Sequence, residues 1–304
     1  MRVKRFDRIK VENDIISEIK KSIVSQRAYI KAESQIVFLF GAKSNTQRTT
    51  ARDSFYDYTK KHLQDYLFLL AEDFYRSFGD SPVDLLTLED ELASYTDCVL
   101  IILESPGAIA ELGAFSLKSE LVKKILAINE RAFMNEDSFI NKGPLAKIQK
   151  ESKFSPVIHA KFESILASIG EIEKSLSKNL QRKRSVKVEF DTYDKFNGAN
   201  FKKFRLMLVR DLVTLFSPVK FEEILYILRY IYDTDKFLKI NFELSFLISV
   251  GLIRKEVDFY INTYKHDTYF YSFPDLNIID LRAKVLNYYS KYSTSRISHL
   301  NEDY

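Results

Sequence analysis

Glu111 lies just beyond an unbroken apolar run, Cys98-Val99-Leu100-Ile101-Ile102-Leu103, in the stretch Glu104-Ser105-Pro106-Gly107-Ala108-Ile109-Ala110-Glu111-Leu112-Gly113-Ala114-Phe115. A run of this kind reads as a parallel strand buried on both faces, and Pro106-Gly107 reads as the start of the helix that follows it. Open α/β sheets bind ligands beyond the carboxyl ends of their strands, where helix N-termini present free amide groups. A carboxylate there can attack or stabilise an anomeric carbon as a glycosidic bond breaks, because that transition state is oxocarbenium-like and positive. The free amide groups of the helix that starts at Pro106-Gly107 would meanwhile hold a phosphate or hydroxyl of a nucleotide-like ligand. By position alone, an ordinary surface helix residue remains the competing reading of Glu111.

Other residues at expected strand ends are candidates for the same crevice. Gly41 opens a small polar turn, Gly41-Ala42-Lys43-Ser44-Asn45-Thr46, whose backbone can approach a ligand. Glu72 and Asp73 follow the run Tyr66-Leu67-Phe68-Leu69-Leu70, where they either face the site or begin a solvated helix. Asn141 lies in Ser138-Phe139-Ile140-Asn141-Lys142-Gly143-Pro144, a loop with turn chemistry.

The elements that must position these residues alternate. A helix over residues 11–31 precedes a first strand, Ile36 to Phe40; helices near 49–63 and 86–94 flank the second strand; Lys124 to Ile128 reads as the fourth strand and Pro156 to His159 as a fifth. This order specifies an α/β fold with a doubly wound parallel sheet. The first domain is expected to span residues 1–170. Residues 171–304 read as mostly helical, with helices over 204–216, 221–232 and 237–250 and two aromatic-rich runs, 256–261 and 268–273, around Lys265-His266-Asp267. Three helices and a β-hairpin are the parts of a winged helix-turn-helix.

Charge is uneven. Residues 176–304 hold 21 Lys plus Arg against 16 Asp plus Glu, densest in Lys178 to Lys187. Arg182, Lys183 and Arg184 in that run either contact phosphates of a nucleic-acid partner or belong to a solvated linker. Cys98 lies inside an apolar strand and the four histidines show no ligand spacing, so neither a disulfide, a metal nor a cofactor is expected. No run reaches the roughly 18 apolar residues of a membrane span and the first residues lack a signal-peptide core, so a cytoplasmic protein without membrane contact is expected.

The strand, Glu-Ser-Pro-Gly, then Glu-Leu-Gly-Ala-Phe at 111–115 resembles the nucleoside 2-deoxyribosyltransferase-like proteins. Glu104 to Ser116, with 138–144 and Glu72-Asp73, is similar to the effector proteins of retron anti-phage systems. The resemblance implies a deoxyribosyltransferase-like N-terminal domain and a winged-helix-like C-terminal part. Carried over by residue, it makes Glu111 catalytic and places ligand contacts at Gly41, Glu72, Asp73, Ser105, Pro106, Gly107 and Asn141. The transferases often carry an aspartate where this chain has Ser105, with Glu104 adjacent; that departure favours hydrolysis of an N-glycosidic bond over transfer. The resemblance further implies a toxin that acts on a nucleotide-like small molecule. A complex with a retron reverse transcriptase and its multicopy single-stranded DNA would restrain it, extending to a higher-order assembly. The alternatives are a nucleotide-sensing binding module and a DNA-binding regulator, neither with catalysis.

Overall fold

Five apolar runs pair into one parallel sheet in the computed structural model of the chain. They are Gln35–Phe40 (β1), Tyr66–Leu69 (β2), Cys98–Ile102 (β3), Ile125–Glu130 (β4) and Ile158–Ala160 (β5), in the order β2-β1-β3-β4-β5. The structure describes residues 2–25, 28–30, 35–46, 48–79, 83–180, 186–187, 192–198, 201–237, 239–263 and 269–300. Every residue of β3 is buried, as its unbroken run requires of a strand covered on both faces. Two strands begin later than the sequence pattern places them. Lys124 lies just before β4; its carbonyl accepts from the Val99 amide at 2.9 Å and its ammonium donates to the carbonyls of Ala93 and Thr96, at 2.6 and 2.8 Å. Pro156 has no N–H for a ladder, and β5 begins at Ile158.

Helices Ala51–His62 (α1), Ala71–Phe78 (α2), Leu85–Ser94 (α3) and Pro106–Ser116 (α4) connect the strands. Three of them have side-chain N-caps: Thr50 accepts from the Asp53 amide, Asp84 from that of Thr87 and Ser105 from that of Ala108. Their apolar faces close the core. Phe55 of α1 meets Phe68 of β2 edge-on at 5.9 Å, and Phe115 of α4 meets Phe40 of β1 at 5.3 Å. Each such ring contributes about 1.5–3 kcal/mol by leaving water. Since β1 is followed by its neighbour on one side and β3 lies on the other, the chain leaves these two strand ends in opposite directions. That divergence is the switch point beyond which open α/β sheets bind their ligands, with Gly41 and Glu104 following the two strands.

Residues 33–182 form this compact unit, and residues 1–32 with 183–304 form a second. The division falls at 182 rather than 170 because helix Ile169–Asn179 buries Ile172 and Leu176 in the core of the first unit. In the second unit the N-terminal helix runs over Arg2–Val24, not 11–31. Tyr29–Ile30 is instead a short strand, paired antiparallel with both Tyr271–Ser272 and Val186–Lys187.

Helices Lys202–Phe216, Phe221–Tyr232 and Ile240–Ser249 match the expected three closely. Residues 205–216 are all buried, so the first of these helices is central, and its charges are paired inside: Arg205 with Glu243 at 2.5 Å and Arg210 with Asp211 at 3.2 Å. The hairpin lies earlier than expected. Ile253–Glu256 pairs with Phe259–Asn262 across a turn at Val257, and Val219–Lys220 adds a third strand. The aromatic run near 271 leaves that hairpin for its pairing with Tyr29–Ile30, a long-range choice invisible to local pattern. Lys265, His266 and Asp267 lie outside the described residues. Helix Ile278–Tyr292, which the sequence reading did not anticipate, follows. Among the described residues no helix is long and apolar enough to cross a membrane.

Candidate active site

α4 presents Glu111 inward. Ala108, Leu112 and Phe115, at one helical turn before, beside and one turn after Glu111, are all buried, so the carboxylate emerges from an apolar stripe and is itself half-buried. Among the described residues nothing hydrogen-bonds or ion-pairs with it. Burial pushes its carboxyl up to about 7, helped by the nearby negative charges of Glu89 and Glu72 and opposed by Arg52. A carboxyl in that range changes protonation near neutrality, as an acid–base or charge-stabilising group should.

The floor of the crevice is built by Glu104 and Arg52. Glu104 follows β3 and turns its carboxylate to the start of α1, accepting from the amides of Arg52 and Ala42 at Oε1 (2.8 and 3.2 Å) and of Ala51 at Oε2 (2.8 Å). It thereby serves as a cap for a neighbouring helix and closes the β1 turn. Arg52 is buried and forks between two carboxylates. Its guanidinium donates to Asp53 Oδ1 at 2.8 and 3.0 Å and to Glu72 at 2.9 and 3.3 Å. Asp53 also accepts from the Ser44 amide at 2.8 Å. Burial would raise the Asp53 carboxyl, but the bonds from Ser44 and Arg52 prevail and hold it below the ordinary carboxylate range.

Beside Glu111, the Tyr75 hydroxyl of α2 donates to Glu89 Oε1 of α3 at 2.9 Å. Both side chains are half-buried. Burial raises the Glu89 carboxyl above its usual range, and the Tyr75 bond opposes that rise by favouring the ionised form.

The structure sets Gly41 against Arg52 and Glu104, pairs Arg52 with Glu72, and brings the charges of both within reach of Glu111. It also assigns several of them protein partners. A Cβ built on Gly41 would lie 2.8 Å from Arg52 Cβ and 3.1 Å from Glu104 Oε1, so glycine is needed there for the close approach of α1. Glu72 is the ion-pair partner of Arg52. Asp73 is half-buried, its carboxyl raised chiefly by burial, and it pairs with Arg76 at 3.3 Å.

Ser105 is the α4 cap, while Pro106 and Gly107 are exposed at the helix start. The Asn141 amide donates to the carbonyls of Phe133 and Glu136, both at 2.8 Å, and its oxygen accepts from Asn129 at 3.4 Å, so this side chain organises its own loop. Arg182, Lys183 and Arg184 lie outside the described residues. Cys98 is fully buried, as a strand-interior thiol should be. Arg52, Tyr75 and Glu89 escaped the sequence reading. Only the i,i+3 spacing of Glu72 and Tyr75 hinted that Tyr75 shares the crevice face.

Residues 48–255, which carry these groups except Gly41, Ala42 and Ser44, match the model of a family described as STM3845 retron effector protein. The chain is 30% identical to an Escherichia coli protein named "Retron Ec73 putative ribosyltransferase/DNA-binding protein" over 86% of this chain and 88% of the relative. A second E. coli protein, bearing the same name for retron Ec86, is 40% identical over 24% of each chain.

Proposed function

The chain belongs to the STM3845 retron effector family, and from that premise we propose that it is the toxin of a retron defence system, hydrolysing an N-glycosidic bond of a nucleotide-like small molecule. One observation carries the reading: Glu111, at the mouth of a switch-point crevice, is half-buried, bonded to nothing among the described residues and raised to about 7. The parallel sheet of order β2-β1-β3-β4-β5 supports a deoxyribosyltransferase-like domain, and the relatives' names pair ribosyl transfer with DNA binding.

In the reaction the bond between the anomeric carbon and the base nitrogen breaks with its electron pair leaving on the base, which takes a proton from solvent. Ionised Glu111 stabilises the oxocarbenium ion and accepts a proton from the water that adds to it. The net change is addition of one water. Ser105 stands six residues before Glu111, where transferases often carry an aspartate, and the adjacent Glu104 is fully engaged with backbone amides, which favours hydrolysis over transfer. The test is incubation of the purified protein with nucleosides and nucleotides and chromatographic detection of free base. No base released from any of them, with ligand recovered intact, would leave a sensing module instead.

The exposed start of α4 supplies the ligand's anion site in this reading. Gly107→Val should fold normally, since a Cβ at Gly107 meets only Ser105 Oγ at 3.9 Å. It should nevertheless weaken nucleotide binding by about tenfold or more, because a branched side chain there blocks approach to the amides. Calorimetric titration with a nucleoside monophosphate, set against Ala108→Ser, measures this; equal affinities would remove α4 from the binding site.

The second unit supports a winged-helix reading through its helix, strand, helix, helix, hairpin order. Its third helix, Ile240–Ser249, buries Ile240 and residues 242–247, so it has little side-chain surface to read a duplex. The basic run is the better candidate for contact with retron nucleic acid, alongside its reverse transcriptase. Replacing Arg182, Lys183 and Arg184 with alanine should weaken that association and lower the salt slope by up to about 2–3 units. An unchanged slope in a filter-binding assay with single-stranded DNA would reduce the run to a linker.

A further inference from the structure

We propose that the second unit carries a small-molecule site of its own: a pocket of about 360 Å³, lined by Tyr260, Lys255 and Glu222, that takes a free amino acid with an apolar side chain. The site does not depend on reading Glu111 as catalytic.

The pocket forms where the hairpin meets the starts of two helices. Lys220 ends the short strand Val219–Lys220, and Phe221 and Glu222 open helix Phe221–Tyr232 directly after it. Asn241, in the first turn of helix Ile240–Ser249, contributes an exposed carboxamide. The hairpin supplies Lys255 and Tyr260, which are register partners and so share a face of the sheet, and its turn supplies Asp258. A volume of about 360 Å³ falls in the range of pockets that hold small molecules. One buried group of the lining lacks a partner: Tyr260 is 6% exposed, yet its hydroxyl bonds to no protein group among the described residues. An unpaired buried hydroxyl carries a desolvation cost that a ligand's acceptor would remove. Burial and the charge of Glu222 keep this hydroxyl protonated, so it is a donor.

The charges of the lining balance. Lys220 lies 3.8 Å from Asp258, and these two answer each other. Lys255 and Glu222 have no ion-pair partner among the described residues. The Lys255 ammonium lies 5.6 Å from the centre of the Tyr260 ring, and the Glu222 charge is felt at the Tyr260 hydroxyl. An unpaired cation and an unpaired anion thus attend the same tyrosine. A triphosphate would lose to Glu222 what it gains from Lys255, and a polyamine the reverse; a zwitterion is served by both. Its carboxylate would take Lys255, the Tyr260 hydroxyl and the first-turn amides of helix Phe221–Tyr232, which have no partner within the helix. Its ammonium would take Glu222 and the Asn241 carboxamide oxygen. Phe221 and Tyr260, the aromatic residues of the lining, suit an apolar side chain.

The experiment is calorimetric titration of the full chain with L-phenylalanine and L-leucine, each beside its deaminated acid and its decarboxylated amine. At least one of the two amino acids should bind, and loss of either of its charges should weaken binding about tenfold or more. Tyr260→Phe, Lys255→Met and Glu222→Gln should each weaken it about fivefold or more. Lys255 and Glu222 are exposed, so their variants keep the fold. Tyr260→Phe should melt at the wild-type temperature or above, because no protein hydrogen bond is lost with the hydroxyl. Glu111→Gln should bind as wild type does.

Binding of neither amino acid would overturn the proposal, and so would equal affinity for a single-charge analogue or an unchanged affinity in any of the three pocket variants. A Tyr260→Phe protein that unfolds or melts well below wild type would overturn it too, since the hydroxyl would then have a protein partner and none to spare for a ligand. Affinity lost in Glu111→Gln would move the ligand to the first unit and refute this pocket. Base release is scored in a separate assay, so its absence refutes the enzymatic reading of Glu111 and leaves this site standing.

Discussion

Glu111→Gln should lower release of free base by about 10³-fold or more, the scale of removing a charge aimed at a transition state. Glutamine keeps the shape of the side chain but supplies neither the negative charge that stabilises an oxocarbenium ion nor a base for water. Its second effect has the opposite sign from ordinary damage. The Glu111 carboxyl is raised from 4.5 to about 7 in the folded protein, chiefly by burial. A raised value means that the folded state binds this proton more tightly than the unfolded chain does. The resulting stability is present below about 4.5 and is lost as pH rises through 7, where the ionised group sits poorly solvated.

Glutamine removes that cost. Because the group is partly exposed, solvent screening reduces the stability difference to about 1 kcal/mol, or a rise in melting temperature at pH 8 of roughly 2–4 °C. At pH 4 the variant and wild type should melt together. Paired thermal melts at the two pH values, with the base-release assay, check both parts. An active Glu111→Gln protein would remove this residue from catalysis, and a melting temperature lowered at pH 8 would show that the carboxylate has a stabilising partner.

Glu104→Ala should have the largest structural effect of any single change at the crevice. Three backbone amides, those of Ala42, Ala51 and Arg52, donate to this one carboxylate at 2.8–3.2 Å. Two of them are first-turn donors of α1 that have no partner within the helix. Each bond to a charged acceptor contributes about 1.5–3 kcal/mol, and an orphaned amide out of contact with water costs a similar amount. Since relaxation and water entry recover part of the loss, about 3 kcal/mol is expected, a fall in melting temperature of roughly 6–12 °C.

The damage should spread beyond stability. Arg52 begins α1, and its guanidinium pairs with Glu72 and Asp53, so a loosened helix start moves the charges that Glu111 feels. Chemical denaturation of the purified variant gives the number. A loss under about 0.5 kcal/mol would place Glu104 among ordinary surface residues and return it to the list of groups available to a ligand.

The sequence alone determined the parallel sheet, because continuous apolar runs such as Cys98 to Leu103 can be buried only between two layers of helix. It also determined the place of Glu111, since the strand, Ser105 cap and Pro106 helix start form a local signal that reads without tertiary context. In the second unit it gave three helices at nearly their observed limits, each an apolar pattern with the helical period.

Tertiary structure decided what one dimension does not encode. Glu104 and Glu111 lie seven residues apart in the same helix start, and both could have faced a ligand. One was turned to the amides of α1, some fifty residues earlier, and the other has no bonded partner among the described residues. Arg52, Tyr75 and Glu89 come from three helices in two connections and acquire meaning only where β1 and β3 diverge. Likewise Tyr271–Ser272 had the composition of a hairpin strand but paired with Tyr29–Ile30, because strand pairing is a choice among distant partners that each offer equivalent backbone hydrogen bonds. Local pattern fixes which face of an element is apolar; which polar groups meet across the sheet edge depends on the order of strands, and that order is set by long-range packing.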